Sequence, residues 1–480
     1  MEKKLLLVII FTSCFGWYVN GQVGIGTVTP DPSAILDIQS TTQGFLAPRM
    51  TSVERLAIAT PAQGLLVYDT DENYLYFYNS SNSTWERVLT SHIERDNYVL
   101  VKSESDFPAP SGGAIVLDPS TLYEINGAIS LSNPINLNGA YIEGVDSNED
   151  KLIANGGTVF LGGGGSVRNI TLSAPSGTIF NLDGQGSGSF VMQSSIVTTS
   201  ANVGTIANFN LVFMNVIQYI SNNDGLEYKD IDQLLLNNQG WFGNNQGTYE
   251  TFSGDFNLIE KVSGFSQVLL ATGATAVDVT GVSNLAGDGI LQSVVFYGGG
   301  NYINGNSPYN GYNFTKDWAV VCEGIPVERD ENASGNFYYN GSLTSGFAQA
   351  ISANTPTKIT GDAFSNTTTA NSLFRFTAPA YNMLVYDGSK TRDMQVNASL
   401  SIRVTGATGD FYAFIIAKNG AVITESNSVV RINNDSDIQN VALNSIVTMT
   451  PGDYIELYVQ RLTGNGSDDL VIFSENLSVK

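Results

Sequence analysis

The sequence predicts an all-β protein, a right-handed parallel β-helix followed by a C-terminal β-sandwich, and three observations carry that expectation. Charged residues make up only 14% of the 480 positions while glycine fills 49 of them, and Asn, Ser and Thr recur throughout, a bias toward turns and strands over helices. From residue 97 to about 310, short apolar stretches follow one another with Gly, Asn and Ser between them. After residue 341 the stretches lengthen and alternate apolar with polar, as the strands of a two-layer sandwich do.

The chain opens with Lys3 and Lys4, an apolar run over 5–12, and Val19-Asn20-Gly21 before Gln22. This is the layout of a signal peptide over residues 1–21, cleaved near Gly21, and it predicts an extracellular or cell-surface location. A lipidated Cys14 is the alternative, although Phe11-Thr12-Ser13-Cys14 matches a lipoprotein box poorly. No later stretch supplies the roughly 20 apolar residues a spanning helix needs, so membrane insertion is not expected. The net charge of −23 argues against nucleic acid and anionic membranes, which are held by clustered Lys and Arg. Without the leader Cys322 is the remaining thiol, which excludes an intrachain disulfide framework. It ends the apolar run Trp318-Ala319-Val320-Val321-Cys322 and reads as a buried, inert thiol.

Residues 22–96 read as a first module. Thr51 and Glu54 have capping-box spacing ahead of Arg55-Leu56-Ala57-Ile58, and Pro61 ends that short helix. The stretches 65–68 and 74–78 read as a hairpin around 69–73, with Trp85 on the next apolar stretch. So small a unit can hardly bury its aromatics alone, and stacking on another copy would help. Its Gly24-Ile25-Gly26-Thr27 start, Leu46-Ala47-Pro48-Arg49-Met50 centre and Gly64-Leu65-Leu66-Val67-Tyr68-Asp69 end resemble the N-terminal module of secreted Bacteroidota surface proteins, itself similar to pieces of phage tail fibres.

Residues 97–340 read as the β-helix, with strands at 125–131, 135–142, 167–172, 178–182, 205–209, 211–216 and 231–236, none of them long. Asn169, Asn208 and Asn237 fall at expected corners, and the tract is longer than one sandwich needs. In a solenoid each coil buries its inward face on its neighbours, so a weakly charged sequence still builds a core. An irregular sandwich would leave a similar trace, because exact repeats are absent. The pattern resembles pectin-lyase-like β-helices and tailspike shafts, without a motif that carries activity.

Residues 341–480 present alternating strands at 394–404, 411–418, 421–425, 441–449 and 454–462, with an Asn419-Gly420 hairpin turn. This order, with Gly452-Asp453-Tyr454-Ile455-Glu456-Leu457 and the closing 470–479 stretch, resembles the jelly roll of complement-type and tumour-necrosis-factor-like heads. That resemblance implies a jelly-roll head and trimeric assembly.

No catalytic constellation emerges. His92, the one histidine, lies in a polar bridge between modules and reads as solvated linker. Asp230 and Asp232 are expected on one face of a strand, where paired carboxylates would suit a glycosidase or lyase; a solvent-facing strand edge is the plainer reading. Asp288 and Glu260 sit in turn-rich sequence, where carboxylates cap amides. The stretches 433–437 and 467–469 cluster oxygens that suit calcium, but without EF-hand spacing, and turns stabilised by Asx hydrogen bonds are the plainer reading. The Gly162–165 run lacks a following Lys or helix and reads as a loop leaving the solenoid. Trp241, Phe242, Tyr249, Tyr302, Tyr309 and Tyr312 lie among Asn and Gly, a composition that holds sugars by ring stacking and amide hydrogen bonds, and the same aromatics would equally serve to cover coil ends or a trimer seam; of these, Trp241, Tyr249, Tyr302, Tyr309 and Tyr312 are the candidate ligand contacts.

The expectation is therefore a secreted, fibre-like, non-enzymatic structural or adhesive surface protein, homotrimeric, with a surface glycan or cell-envelope component as partner and neither cofactor nor metal. A polysaccharide-degrading β-helix lyase or glycoside hydrolase is the alternative. A phage tail-fibre part is a third, opposed by the signal peptide.

Overall fold

A computed structural model describes residues 21–88, 97–360, 368–406 and 409–480. Residues 1–20 of the expected leader and His92 lie outside the described residues. The chain divides into two compact units, one ending at Arg95 and one beginning at Asp96.

The first unit is small. Val23–Ile25 pairs in parallel with Leu36–Ile38, and Arg49–Met50, Leu66–Asp69, Tyr74–Asn79 and Thr84–Arg87 form a four-stranded sheet in that order. The helix Ser52–Leu56 begins with the expected capping box: the Glu54 amide donates to Thr51 Oγ1 and the Thr51 amide to Glu54 Oε2. Arg55 is buried between Asp69, 2.8 Å away, and the ring of Tyr76, 3.8 Å below its guanidinium. Few other large groups are enclosed. Val28, Ile35, Phe45, Leu46, Val53 and Leu56 all remain exposed.

The second unit starts with a β-solenoid of about nine turns. Its strands pair in parallel with the coil before and the coil after, in three stacks, from Tyr98–Val101 to Trp318–Glu323. Inward positions of successive coils superimpose, so that Phe190, Val212, Leu234, Ile259, Gly289 and Trp318 form one column. Aromatic rings use the same register: Tyr219 and Trp241 stack with centroids 3.8 Å apart, a contact worth about 0.5–1.5 kcal/mol beyond its area. Buried corners are satisfied by side-chain ladders. Ser200 donates to Asn222 Oδ1 (2.8 Å), Asn222 Nδ2 to Asn245 Oδ1 (2.9 Å), and Asn245 Nδ2 to the Tyr219 carbonyl (2.7 Å).

Several expected boundaries move. The stretch 125–131 is two strands, Leu122–Ile125 and Ala128–Leu131, because Gly127 turns the chain at φ +91°. The stretch 135–142 divides likewise at Asn138 and Gly139, which both have positive φ. Strands are not uniformly short: Thr248–Gln267 runs for 20 residues, bending through left-handed Gly254, Ser263 and Gly264, with the register slipping around Gly254 and the parallel pairing resuming beyond it. Asn169 and Asn208 do occupy left-handed corners, but at the third site Asn238 takes that conformation while Asn237 stays in the strand. The glycines 162–165 do not leave the solenoid. They make a tight corner in which a Cβ on Gly164 would lie 2.1 Å from the Ser189 carbonyl oxygen.

Parallel pairing gives way to antiparallel pairing between Glu323 and Ser334, ahead of the expected boundary at 340, since Ser334–Asn340 already pairs with Ser467–Val479. A six-stranded and a seven-stranded sheet then enclose a core that includes Phe337, Val396, Phe414, Leu457 and Ile472. The Asn419-Gly420 turn closes its hairpin with φ of +55° and +77°, as that dipeptide favours. The strand expected at 421–425 is only Ala421–Val422, followed by a 3-10 turn over Thr424–Ser426.

Candidate functional site

Of the five candidate aromatic contacts, two face the wrong way for a ligand. Trp241 and Tyr249 are 0% exposed and stack on each other with centroids 5.1 Å apart. The Tyr249 hydroxyl donates to the Gln267 carbonyl (2.9 Å), and burial pushes its pKa up to about 12. The surface role expected of this pair is therefore corrected: their Asn- and Gly-rich neighbours build corners, while the rings pack against adjacent coils. Tyr302 is half-buried against the core, and its hydroxyl accepts the Gly299 amide (2.9 Å).

Tyr309 and Tyr312 do converge on a cleft. They lie in the irregular segment after Asn301–Asn304 and meet Phe374 of the sandwich, Tyr312 stacked at 4.0 Å and Tyr309 edge-on at 5.5 Å. The Tyr309 hydroxyl donates to Asp387 Oδ2 (2.9 Å); burial, and then that carboxylate, raise its pKa. The cleft has a volume of about 700 Å³ and is lined by Tyr309 and Tyr312 with Asn310, Ser334, Asn371, Ser372, Phe376 and Thr377 among others. None of its described lining residues carries a charge. Such walls suit a neutral, polar ligand with a flat apolar face.

Behind the cleft Arg375 fixes the solenoid end to the sandwich. It is 1% exposed and holds φ +56°. Its guanidinium pairs with Asp330 (2.6 Å) and donates to the carbonyls of Trp318 (2.6 Å) and Lys316 (2.7 Å). Asp330 in turn accepts the amides of Ser389 (2.9 Å) and Lys390 (2.7 Å). Sequence reasoning missed Phe374, Arg375 and Asp330, which are scattered along the chain; the aromatic pair flanking Arg375 was the available signal.

The remaining candidates resolve into structural roles. Asp230 sits at a left-handed corner, φ +50°, where the register slips between Lys229 and Ile231. Strand alternation is broken there, so the expectation that Asp230 and Asp232 share a face is corrected. Asp230 Oδ1 accepts the Asp255 amide of the next coil (3.0 Å). Ser467, Asp468 and Asp469 belong to a strand, Ser467–Val479, and not to a loop; Asp468 pairs with Arg461 at 2.9 Å. In the 433–437 stretch the Ser436 amide donates to Asn434 Oδ1 (2.9 Å), an Asx turn. Cys322 is buried, its pKa raised chiefly by burial. Among the described residues, no group of three or more His, Cys, Asp or Glu is placed to hold a metal, and no helix is long and apolar enough to cross a membrane.

Residues 24–102 match the family described as phage tail like trimerisation region. Among solved structures, the chain is similar to Eiger TNF from S. frugiperda, with 13% identity and a TM-score of 0.20, over 31% of this chain and 92% of that one. It is also similar to the enzymatically active domain of bacteriophage CBA120 tailspike protein 4, with 9% identity and a TM-score of 0.19, over 91% and 77% of the two chains. No curated protein sequence matches. The chain thus joins a segment similar to a phage tail trimerisation region to a β-solenoid and a two-sheet antiparallel unit.

Proposed function

We propose that this protein is a fibre-like homotrimer with a structural and adhesive role, exported to the cell surface. One coincidence carries the reading. The segment that matches a trimerisation region leaves apolar side chains open in a single copy at close intervals: Val28 is 98% exposed, Leu46 78% and Val53 76%. Exposed apolar surface of that density marks an association site, and identical copies close it most simply around a symmetry axis. Export rests on the leader-like composition of residues 1–21, and the C-terminal two-sheet unit is read as a jelly-roll head. The protein is read as non-catalytic, because its cleft lining supplies no carboxylate and Asp230 is engaged in capping a neighbouring coil. The cleft beside Tyr312 then serves to hold a neutral glycan.

Native mass spectrometry of the chain from Gln22 onward tests the assembly: a mass of three chains is expected at micromolar concentration, and a single chain would refute it. Tyr312→Ala is expected to weaken capture on a glycan array at least tenfold with the trimer intact. Turnover of plant, algal or bacterial polysaccharide would replace this reading with the enzymatic one.

A further inference from the structure

We propose that one face of the solenoid, the strand stack that begins at Tyr98, is the surface along which three copies of this chain pack; the inference rests on the homotrimer reading above. The register defines an outward column on that stack, passing through Tyr98, Tyr141, Val191, Phe213, Leu235 and Ile290. Its members are exposed or half-buried, whereas their inward neighbours, such as Met192, Met214 and Leu236, are fully enclosed. Ser166 and Glu260 interrupt the column. Its residues are thus apolar on the side of the strand that a single copy leaves to water.

A second outward column in the same solenoid shows that this is not a general property of its surface. From Leu161 the register runs through Asn181, Thr205, Glu227, Thr251 and Asp278, and after the first residue every member is polar or charged. Water suits that face. The next outward column of the Tyr98 stack itself, through Glu124, Glu143, Arg168, Gln193, Asn215 and Asn237, is polar as well, so the apolar residues form a single stripe on that stack.

A second copy of this chain is the occupant the observations favour. The segment similar to a trimerisation region extends to residue 102 and therefore includes Tyr98–Val101, the first strand of this stack. Association held there continues directly onto the column. Parallel copies around a threefold axis bring identical coils to the same height, so a continuous apolar stripe meets itself along its length. Charge acts in the same direction. A chain of net charge −23 repels its copies through most surfaces, and Glu260 is the carboxylate this column presents.

Cysteine substitution in the full exported chain tests the proposal. Phe213→Cys and Leu235→Cys are expected to form disulfide-linked pairs of chains under mild oxidation, and Asn181→Cys, on the polar column, is expected to form none. The double variant Phe213→Glu with Leu235→Glu is expected to dissociate at least tenfold faster than Asn181→Glu, with circular dichroism confirming folded strands. A trimer that yields no cross-link at 213 or 235 and dissociates at the same rate in both charge variants would overturn this interface while leaving the trimer reading intact. A monomeric parent chain would remove both, and cross-linking at 181 instead would assign assembly to the other face.

Discussion

The solenoid and the C-terminal sandwich both bury charge pairs, Lys261 with Glu250 in one and Arg461 with Asp468 in the other, but they differ in how each treats one further buried carboxylate. In the solenoid Lys261 and Glu250 each replace an apolar residue in an inward column, Lys261 between Leu236 and Leu291 and Glu250 between Leu226 and Val277. They meet at 2.8 Å, with side chains 1% and 0% exposed. The sandwich instead encloses Glu475, 2% exposed, with neither carboxylate oxygen in a hydrogen bond. Its strand neighbours are Tyr339 and Leu400, and the buried side-chain amide of Asn382 nearby donates one N–H to the Ile359 carbonyl. Burial pushes the Glu475 pKa up to about 8, against a small downward pull from Asn382. Glu250 of the solenoid thus has a counter-charge, whereas Glu475 of the two-sheet core has none and stays neutral at the cost of sensitivity to pH.

The largest effect is expected at the solenoid pair. Lys261→Met leaves Glu250 enclosed without a counter-charge and should cost about 3–5 kcal/mol of solenoid stability in urea titration, while Lys261→Met with Glu250→Leu should recover most of it. Equal losses in the single and double variants would mean that packing, not charge, governs the site. Arg375→Met should cost about 3 kcal/mol by stranding Asp330, and Asp330→Asn in the same chain should reduce that loss. Limited proteolysis near residues 324–333 would report it.

Glu475 gives the pH test. Its folded pKa is raised, so the folded state retains a proton that the unfolded state releases, and the stability of the neutral form is complete below the unfolded value near pH 4.5. It is then lost as pH rises through about 8, with a slope of at most about 1.4 kcal/mol per pH unit. Glu475→Gln should flatten the melting temperature of the sandwich between pH 5 and 8. A variant that follows the parent across that window would place the pH response elsewhere. Thr51→Ala should have the smallest effect, about 1 kcal/mol on the first unit alone, seen as a lower melting transition for that unit beside an unchanged solenoid.

Local chemistry was legible in the sequence wherever adjacent residues determine the outcome. The Thr51–Glu54 capping box, the Asn419-Gly420 turn and the corners at Asn169 and Asn208 depend on nearby backbone and emerge as expected. The inward or outward fate of a ring does not. Trp241 and Tyr249 read as surface rings because their neighbours are Asn and Gly, yet the partners that bury them are set by coil register, with ladder contacts 22 to 26 residues apart. Asp230 misled for a related reason, since a single left-handed residue reverses the alternation on which a shared face depends. The cleft was half visible: Tyr309 and Tyr312 were candidates, but Phe374 and Asn371 join them only through the docking of the sandwich on the solenoid end.

An electron cryo-microscopy reconstruction of the full exported chain is the most direct measurement. Three solenoids related by a threefold axis, with Phe213 and Leu235 of each copy turned toward its neighbours and Asn181 toward solvent, is the expected result. Isolated single chains, or copies joined through the face that carries Asn181, would contradict it.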